Sequence, residues 1–97
     1  MNLRLFGTNF TVTLQRPDDN SALRNGLWGH TNFGLATIHL SDEPVLSVRD
    51  GTLLHEIIHV CDHVGNLRMK EPTVAALADL LYAALADNDL WKPPWWD

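Results

Sequence analysis

The segment His55-Glu56-Ile57-Ile58-His59 constrains this chain most, because it places three chemically useful side chains on little more than one helical turn. Residues four apart lie on the same face of an α-helix, so both imidazoles can reach one metal ion. Glu56 follows the first histidine and can stand beside a metal-bound water as its general base. The pattern therefore predicts a helix here, with His55 and His59 as metal ligands and Glu56 as the catalytic residue.

Before this helix, apolar and polar residues alternate with the period of two that is typical of half-buried β-strands. The alternation predicts strands at residues 2–5, 10–15 and 35–40, and the apolar pattern also restarts at residues 26–29. A hairpin turn is predicted at Gly7-Thr8-Asn9. The polar residues between the second and third of these segments, from Arg16 to Asn25, predict a loop or a single helical turn.

Two helices are predicted after the strands. The first begins near Asp50 as its N-cap and runs to Val64, with Gly65 as a left-handed stop. The second begins at Pro72, since proline is favoured in a first helical turn, and runs to about Asp87. The predicted buried stripe of the first helix consists of Leu54, Ile57, Ile58, Cys61 and Val64.

Strands followed by helices indicate an α+β fold, with a small antiparallel or mixed sheet of three to four N-terminal strands and two packed helices. We expect one domain over residues 1–97. Strands and loops would occupy residues 1–48, the metal helix 50–65, the second helix 71–87 and a tryptophan-rich tail 91–97.

Composition narrows the function classes. The net charge is −5 and the seven Lys and Arg are scattered, so nothing indicates nucleic-acid binding. Cys61 is the one cysteine, which excludes an intramolecular disulfide and a cysteine-based metal site. The chain lacks a signal-peptide pattern at residues 1–10 and a run of about 20 apolar residues, so we expect a cytoplasmic protein that does not span a membrane.

The C-terminal tail holds three of the four tryptophans. Tryptophan is costly to leave in water, so we expect the tail, residues 91–97, to dock on its own domain or on a partner. Self-association through this tail is one such arrangement.

A catalytic zinc site normally has three protein ligands and one open position. The candidates for the third ligand are His63, Glu71, Asp62 and Asp79. His63 continues the spacing of four, but it lies about 12 Å along the axis from His55 and its face is rotated by about 80°. One tetrahedral ion cannot be reached from both unless the helix breaks after His59. We therefore interpret His63 as a surface residue or as one that supports the ligands from outside.

Glu71 is the better candidate for the third ligand. It stands at the start of the second predicted helix, in line with the apolar positions 74, 78, 81 and 85. A carboxylate on a packing face is costly unless it is paired or coordinated, and a zinc ion would compensate that cost. In the alternative, Glu71 is a solvated residue that interacts with the dipole of its own helix.

The run Thr52-Leu53-Leu54-His55-Glu56-Ile57-Ile58-His59 resembles the metal helix of small phage-type zinc metallopeptidases, minimal gluzincins related to ImmA/IrrE-like and SprT-like proteins. Leu27-Trp28-Gly29 and the segment 36–40 are similar to that group's glycine turn and to the strand before its metal helix. Residues 71–78 look like its glutamate-bearing second helix. The resemblance covers residues 26–88.

The resemblance implies a minimal zincin fold and a zinc ion held by His55, His59 and Glu71, with Glu56 as the catalytic glutamate. It also implies that the strand ending at Leu40 holds an extended peptide by its edge. The expected function is hydrolysis of peptide bonds in a peptide or protein substrate. Zinc would lower the pKa of its bound water and polarise the scissile carbonyl, while Glu56 would pass the proton to the leaving amine.

Three parts of this interpretation stay open. The oxyanion needs a hydrogen-bond donor, and the candidates are Tyr82, His39, His30 and His63. The histidine ligands need polar partners, for which Asp79 and Asp62 are candidates. Finally, so small a domain has little chain to build a cleft, which supports a rival: a regulatory or protein-interaction module of phage or bacterial origin that binds zinc without significant proteolysis. In a third interpretation the motif is accidental and there is no metal.

Overall fold

The computed structural model describes residues 1–92 and contains one four-stranded mixed sheet. The strands are β1 (Asn2–Leu5), β2 (Thr8–Gln15), β3 (Gly29–Asn32) and β4 (Thr37–Ser41), in the order β1-β2-β4-β3. The β1–β2 and β3–β4 pairs are antiparallel, whereas β2 and β4 run parallel. The expected small mixed sheet is therefore confirmed.

The two long helices follow the strands along the chain, whereas two short helical elements lie between the strands. A 3-10 turn (Pro17–Asp19) and the four-residue α1 (Ser21–Arg24) lie between β2 and β3, and the long helices are α2 (Leu46–Gly65) and α3 (Glu71–Asp87). Asn20 caps α1, because its side-chain oxygen accepts the N–H groups of Ala22 and Leu23. The α+β prediction, with strands first and two packed helices after them, is confirmed.

The β1–β2 hairpin turns one residue earlier than the sequence predicts. Phe6 and Gly7 have φ of 52° and 81°, so both central residues are left-handed, as the favoured two-residue hairpin turns require. Thr8 and Asn9, which were predicted to belong to the turn, instead begin β2. Glycine at the second position lowers the cost of this geometry.

Both predicted ends of the metal helix are corrected. The helix α2 begins at Leu46, and Asp50 is buried inside it instead of capping it. The first turn forms because the Val45 carbonyl accepts the N–H of Arg49, whose guanidinium also holds the carbonyls of Asp42 and Pro44. At the other end Gly65 is still helical and Asn66 takes the left-handed conformation, with φ 50°.

The core has two parts because α2 lies between the sheet and α3. Leu53 and Val60 of α2 face the sheet, where they pack with Phe10, Val12, Ile38 and Leu40. Leu54 and Ile58 face α3, where they pack with Val74 and Ala78. The helix is thus buried on two sides, which a single apolar stripe does not describe.

This two-sided packing corrects the predicted stripe. Leu54 and Ile58 are buried as expected, but Val64 is 55% exposed, and Leu53 and Val60 are buried without having been predicted. Ile57 and Cys61 are half-buried. The prediction failed because it assumed one apolar face, whereas the sheet covers a second one.

Trp91 docks on its own chain. Its ring lies edge-on to Tyr82, with ring centroids 6.1 Å apart, and it packs against both parts of the core. The expected docking of the tail is confirmed for this residue, while residues 93–97 lie outside the described part of the chain. Among the described residues, no helix combines the length and apolar character needed to cross a membrane.

Candidate metal centre and its cavity

The two histidines of the motif lie together on α2. Because they are four residues apart, their rings project from the same face, and their Nε2 atoms are 3.1 Å apart. The side chains are 24% and 30% exposed, so both are held by the fold and open to solvent on one side. This half-buried position suits a site that a ligand has to enter.

Glu71 meets both histidines. Its Oε1 lies 2.7 Å from Nε2 of His55, and its Oε2 lies 3.0 Å from Nε2 of His59. These are the three side chains that the sequence predicts as metal ligands, and one ligand atom from each lies within 4.8 Å of the others. Glu71 was predicted as a ligand because a carboxylate on the packing face of its helix would need compensation. That reason is wrong, because the side chain is 62% exposed and does not lie on a buried stripe.

A tight connection brings Glu71 to the histidines. The left-handed residues Asn66 and Arg68 reverse the chain after α2. Asp62 fixes the reversal, because its carbonyl accepts the N–H of Leu67 and its carboxylate accepts the N–H of Met69 at 2.9 Å. The first residue of α3 therefore returns to the side of α2, two turns back from its end. Asp62 shapes this connection and makes no hydrogen bond to His55 or His59 among the described residues.

Glu56 is buried and held by a residue from the sheet. Its side chain is 7% exposed, and its Oε1 accepts a hydrogen bond of 2.8 Å from the hydroxyl of Thr31 on β3. β3 approaches α2 closely at Gly29, where an added Cβ would lie 2.6 Å from Cγ2 of Thr52 and 3.2 Å from Cγ of Glu56. Glycine is therefore required here by the space between strand and helix.

Neither Thr31 nor Gly29 was identified from the sequence as part of the site. The available signal was weak: they are two residues apart, so they share one face of a strand, and glycine in a strand often marks a close backbone approach. Nothing in the local pattern says which helix that face meets.

The cluster opens into a cavity of about 710 Å³. Its floor is α2, with Val48, Gly51 and His55. One wall is formed by β3 with the residues before it, and the other by α3. Glu56 and Glu71 also line it, so the buried carboxylate and the histidine–glutamate cluster face the same space. The expectation that so small a domain leaves little chain for a cleft is not met.

Tyr82, a candidate oxyanion donor, and Asp79, a candidate polar partner of the histidine ligands, both line this cavity. They lie about 16 Å and 12 Å along the axis of α3 from Glu71, so they occupy the far part of the wall. Burial, followed by the charge of Asp50, raises the pKa of Tyr82, which keeps the phenol protonated and able to donate. Asp79 makes no hydrogen bond to His55 or His59 within residues 1–92.

The other three histidines lie elsewhere. His63 is exposed and stacks on Phe33, with ring centroids 4.1 Å apart. His30 and His39 are opposite each other on β3 and β4 and line a second, separate cavity. Burial and the neighbouring His30 lower the pKa of His39, whose Nδ1 lies 2.9 Å from the Thr13 hydroxyl. Of the four candidate oxyanion donors, the structure brings Tyr82 alone into the cavity of the metal cluster.

A buried carboxyl lies behind the cavity wall. Burial raises the pKa of Asp50, and the nearby indole N–H of Trp91 and hydroxyl of Tyr82 offset part of that rise, although the indole does not reach hydrogen-bonding geometry. One oxygen of Asp50 and the indole nitrogen of Trp91 are buried without a hydrogen bond to another described residue. Asp50, which was predicted to cap α2, is instead a buried polar residue where α2, α3 and the C-terminal segment meet.

The free edge of the sheet differs from the one expected. β4, the strand ending at Leu40, pairs with β2 on one side and β3 on the other, so it has no edge to offer a peptide. The edge beside the cavity belongs to β3. The N–H of Ser41 bonds to the carbonyl of Trp28, and alternation along an antiparallel pair then directs the backbone groups of Gly29 and Thr31 away from β4.

Comparisons with protein-family models, with curated protein sequences and with solved structures give no match to this chain.

The chemistry of the donor set fits a zinc ion. Zinc takes imidazole nitrogen and carboxylate oxygen ligands, and two histidines with one glutamate are a common catalytic set. Bonds from zinc to imidazole nitrogen or carboxylate oxygen are about 2.0–2.1 Å long, so the ligand atoms of a tetrahedral site are about 3.3 Å apart. The three contacts in the cluster, at 2.7 to 3.1 Å, are slightly shorter, so only small side-chain shifts separate this arrangement from that spacing.

Proposed function

We propose that this protein is a zinc-dependent metallopeptidase. The observation that carries the proposal is the convergence of His55, His59 and Glu71 within 4.8 Å of one another, beside a cavity that His55, Glu71 and Glu56 line. A metal site alone would support only binding. A buried carboxylate in the same cavity, immediately after the first histidine, adds a group that can move a proton.

The residues divide the chemistry between them. Two imidazoles and the Glu71 carboxylate would hold the ion, which when bound supplies a Lewis acid that polarises the scissile carbonyl and acidifies water. Glu56 would accept the proton of the attacking water and deliver it to the leaving amine. The Thr31 hydroxyl holds one oxygen of Glu56 at 2.8 Å, so the carboxylate is oriented before substrate binds.

The edge of β3 supports a peptide as the substrate. The backbone groups of Gly29 and Thr31 pair with no other strand of residues 1–92, and Gly29 lines the cavity, so this edge can add an extended chain as a further strand. Main-chain hydrogen bonds of this kind position a peptide without depending on its sequence. The substrate class is thus a peptide or an extended protein segment, and a cytoplasmic site of action is part of the proposal.

The test replaces Glu56 by Gln in zinc-loaded protein and follows cleavage of a mixture of fluorogenic peptides. Glutamine keeps the size of the side chain but cannot accept the proton, so cleavage should fall by at least about 100-fold, within the usual range for general-base catalysis. Zinc content and fold should not change. Glu43→Gln is the matched control, since Glu43 is an exposed acid outside the cavity, and it should cleave normally.

Two other outcomes separate the alternatives. If Glu56→Gln cleaves as fast as the unchanged protein, the assigned role of Glu56 is wrong. If the unchanged protein binds one zinc per chain but cleaves none of the peptides, the rival function, a zinc-binding regulatory or interaction module, replaces the peptidase.

A further inference from the structure

Gly51 occupies a position where neither backbone conformation nor packing requires glycine. It lies inside α2, and a Cβ added there would meet no heavy atom within 4 Å. Glycine in a helix interior is less stable than alanine because it loses more conformational freedom on folding. The missing side chain therefore has one structural consequence: it leaves the floor of the cavity open.

The position of Gly51 relates this opening to the metal cluster. It is four residues before His55, so it lies on nearly the same face and about 6 Å along the helix axis. Successive residues of an extended chain are about 3.3 Å apart. A peptide whose reacting carbonyl lies at the cluster would thus place a side chain one or two residues away above Gly51.

The surroundings of Gly51 are apolar and exposed. Leu27 and Trp28, on the wall before β3, are 51% and 52% exposed, and Val48 adds apolar surface to the floor. Exposed apolar side chains that share one cavity are typical of a binding site. A volume of about 710 Å³ gives room for a large side chain as well as backbone.

We propose that the part of the cavity above Gly51 binds a large apolar side chain of the substrate, next to the scissile bond, and that Gly51 makes that selection possible. This inference rests on the proposed peptidase function. The substrate class is then a peptide with an aromatic or large aliphatic residue within two positions of the cleaved bond. Trp28 and Leu27 cover that side chain from one wall, and the bare helix at Gly51 lets it reach the floor.

The first experiment compares two fluorogenic peptides that differ only in phenylalanine or alanine beside the cleaved bond. The unchanged protein should cleave the phenylalanine peptide with a kcat/KM about 10 to 100 times higher, as burial of a large apolar side chain allows. Gly51→Leu fills the space and should bring this ratio close to one. Gly34→Leu places the same side chain in a turn outside the cavity and should leave the ratio unchanged.

A second measurement separates failure of this inference from failure of the peptidase function. Zinc-loaded Glu56→Gln protein is titrated with two hydroxamates, which are zinc ligands, bearing a benzyl or a methyl side chain. The benzyl compound should bind at least about tenfold more tightly, and Gly51→Leu in the same background should abolish the difference.

Each outcome decides the matter. A preserved benzyl preference without any peptide cleavage overturns the peptidase function and supports the apolar site. Cleavage with equal rates for both peptides overturns the apolar site and leaves the function intact. Binding without preference, or no binding of either hydroxamate, also overturns the apolar site.

Discussion

Replacing Gly29 by alanine should destabilise the fold at the contact between β3 and α2. The added Cβ would lie 2.6 Å from Cγ2 of Thr52, closer than carbon atoms pack. Thr52 cannot easily turn aside, because it is β-branched and its hydroxyl donates a 2.8 Å hydrogen bond to the carbonyl of Val48. Overpacking of this kind costs about 1–3 kcal/mol, with a fall in Tm of roughly 4–8 °C per kcal/mol for a domain of this size.

The assay is urea unfolding of Gly29→Ala, Thr52→Ser and the double variant. Serine lacks the Cγ2 atom that the new Cβ would meet but keeps the hydroxyl, so the double variant should recover most of the loss. Gly51→Ala is the matched control: its Cβ meets no neighbour, and it should unfold at equal or higher urea. Wild-type stability in Gly29→Ala, or an undiminished loss in the double variant, would refute the reasoning.

Two further predictions concern buried carboxyl groups. Thr31→Val removes the hydrogen bond to the buried Glu56 carboxylate and should cost about 1.5–3 kcal/mol of unfolding free energy, with a lower kcat for peptide cleavage. Urea unfolding and the peptidase assay check this, and Thr31→Ser should preserve both. Burial raises the pKa of Asp50 above 3.8 in the folded protein. The free energy of unfolding therefore falls as the pH rises from 3.8 through the raised pKa, because the buried carboxyl then ionises. Asp50→Asn should therefore raise the unfolding free energy at pH 7 and have little effect in acid below the ordinary pKa of Asp50; equal effects at both pH values would contradict the assignment.

Local patterns were sufficient for the fold class and for the histidine pair. Alternation in β1, β2 and β4 and helical spacing in α2 and α3 are properties of short segments, so strands and helices could be predicted residue by residue. The proximity of His55 and His59 is likewise a consequence of helix geometry alone. Turn and helix ends were less accurate, because they depend on hydrogen bonds such as those of Arg49 with the preceding loop.

Contacts between distant segments could not be predicted in the same way. Thr31 holds Glu56 across 25 residues of sequence, and nothing near either residue indicates the other. Asp50 was predicted as a cap because a short acidic side chain is common there, whereas the helix begins one turn earlier and buries it. Glu71 was the residue expected beside the histidines, yet the left-handed connection after α2, not burial of its helix face, brings it there.

The central claim is that His55, His59 and Glu71 hold one zinc ion, and zinc titration of the metal-free protein by calorimetry tests it most directly. We expect one zinc per chain. Loss of a residue that merely supports a ligand typically costs 10–100-fold in affinity, so Glu71→Ala, which removes a direct ligand, should lower the affinity by more than about 100-fold. His63→Ala, which changes the histidine stacked on Phe33, should bind zinc like the unchanged protein. No zinc binding, or a loss with His63→Ala and none with Glu71→Ala, would contradict the account.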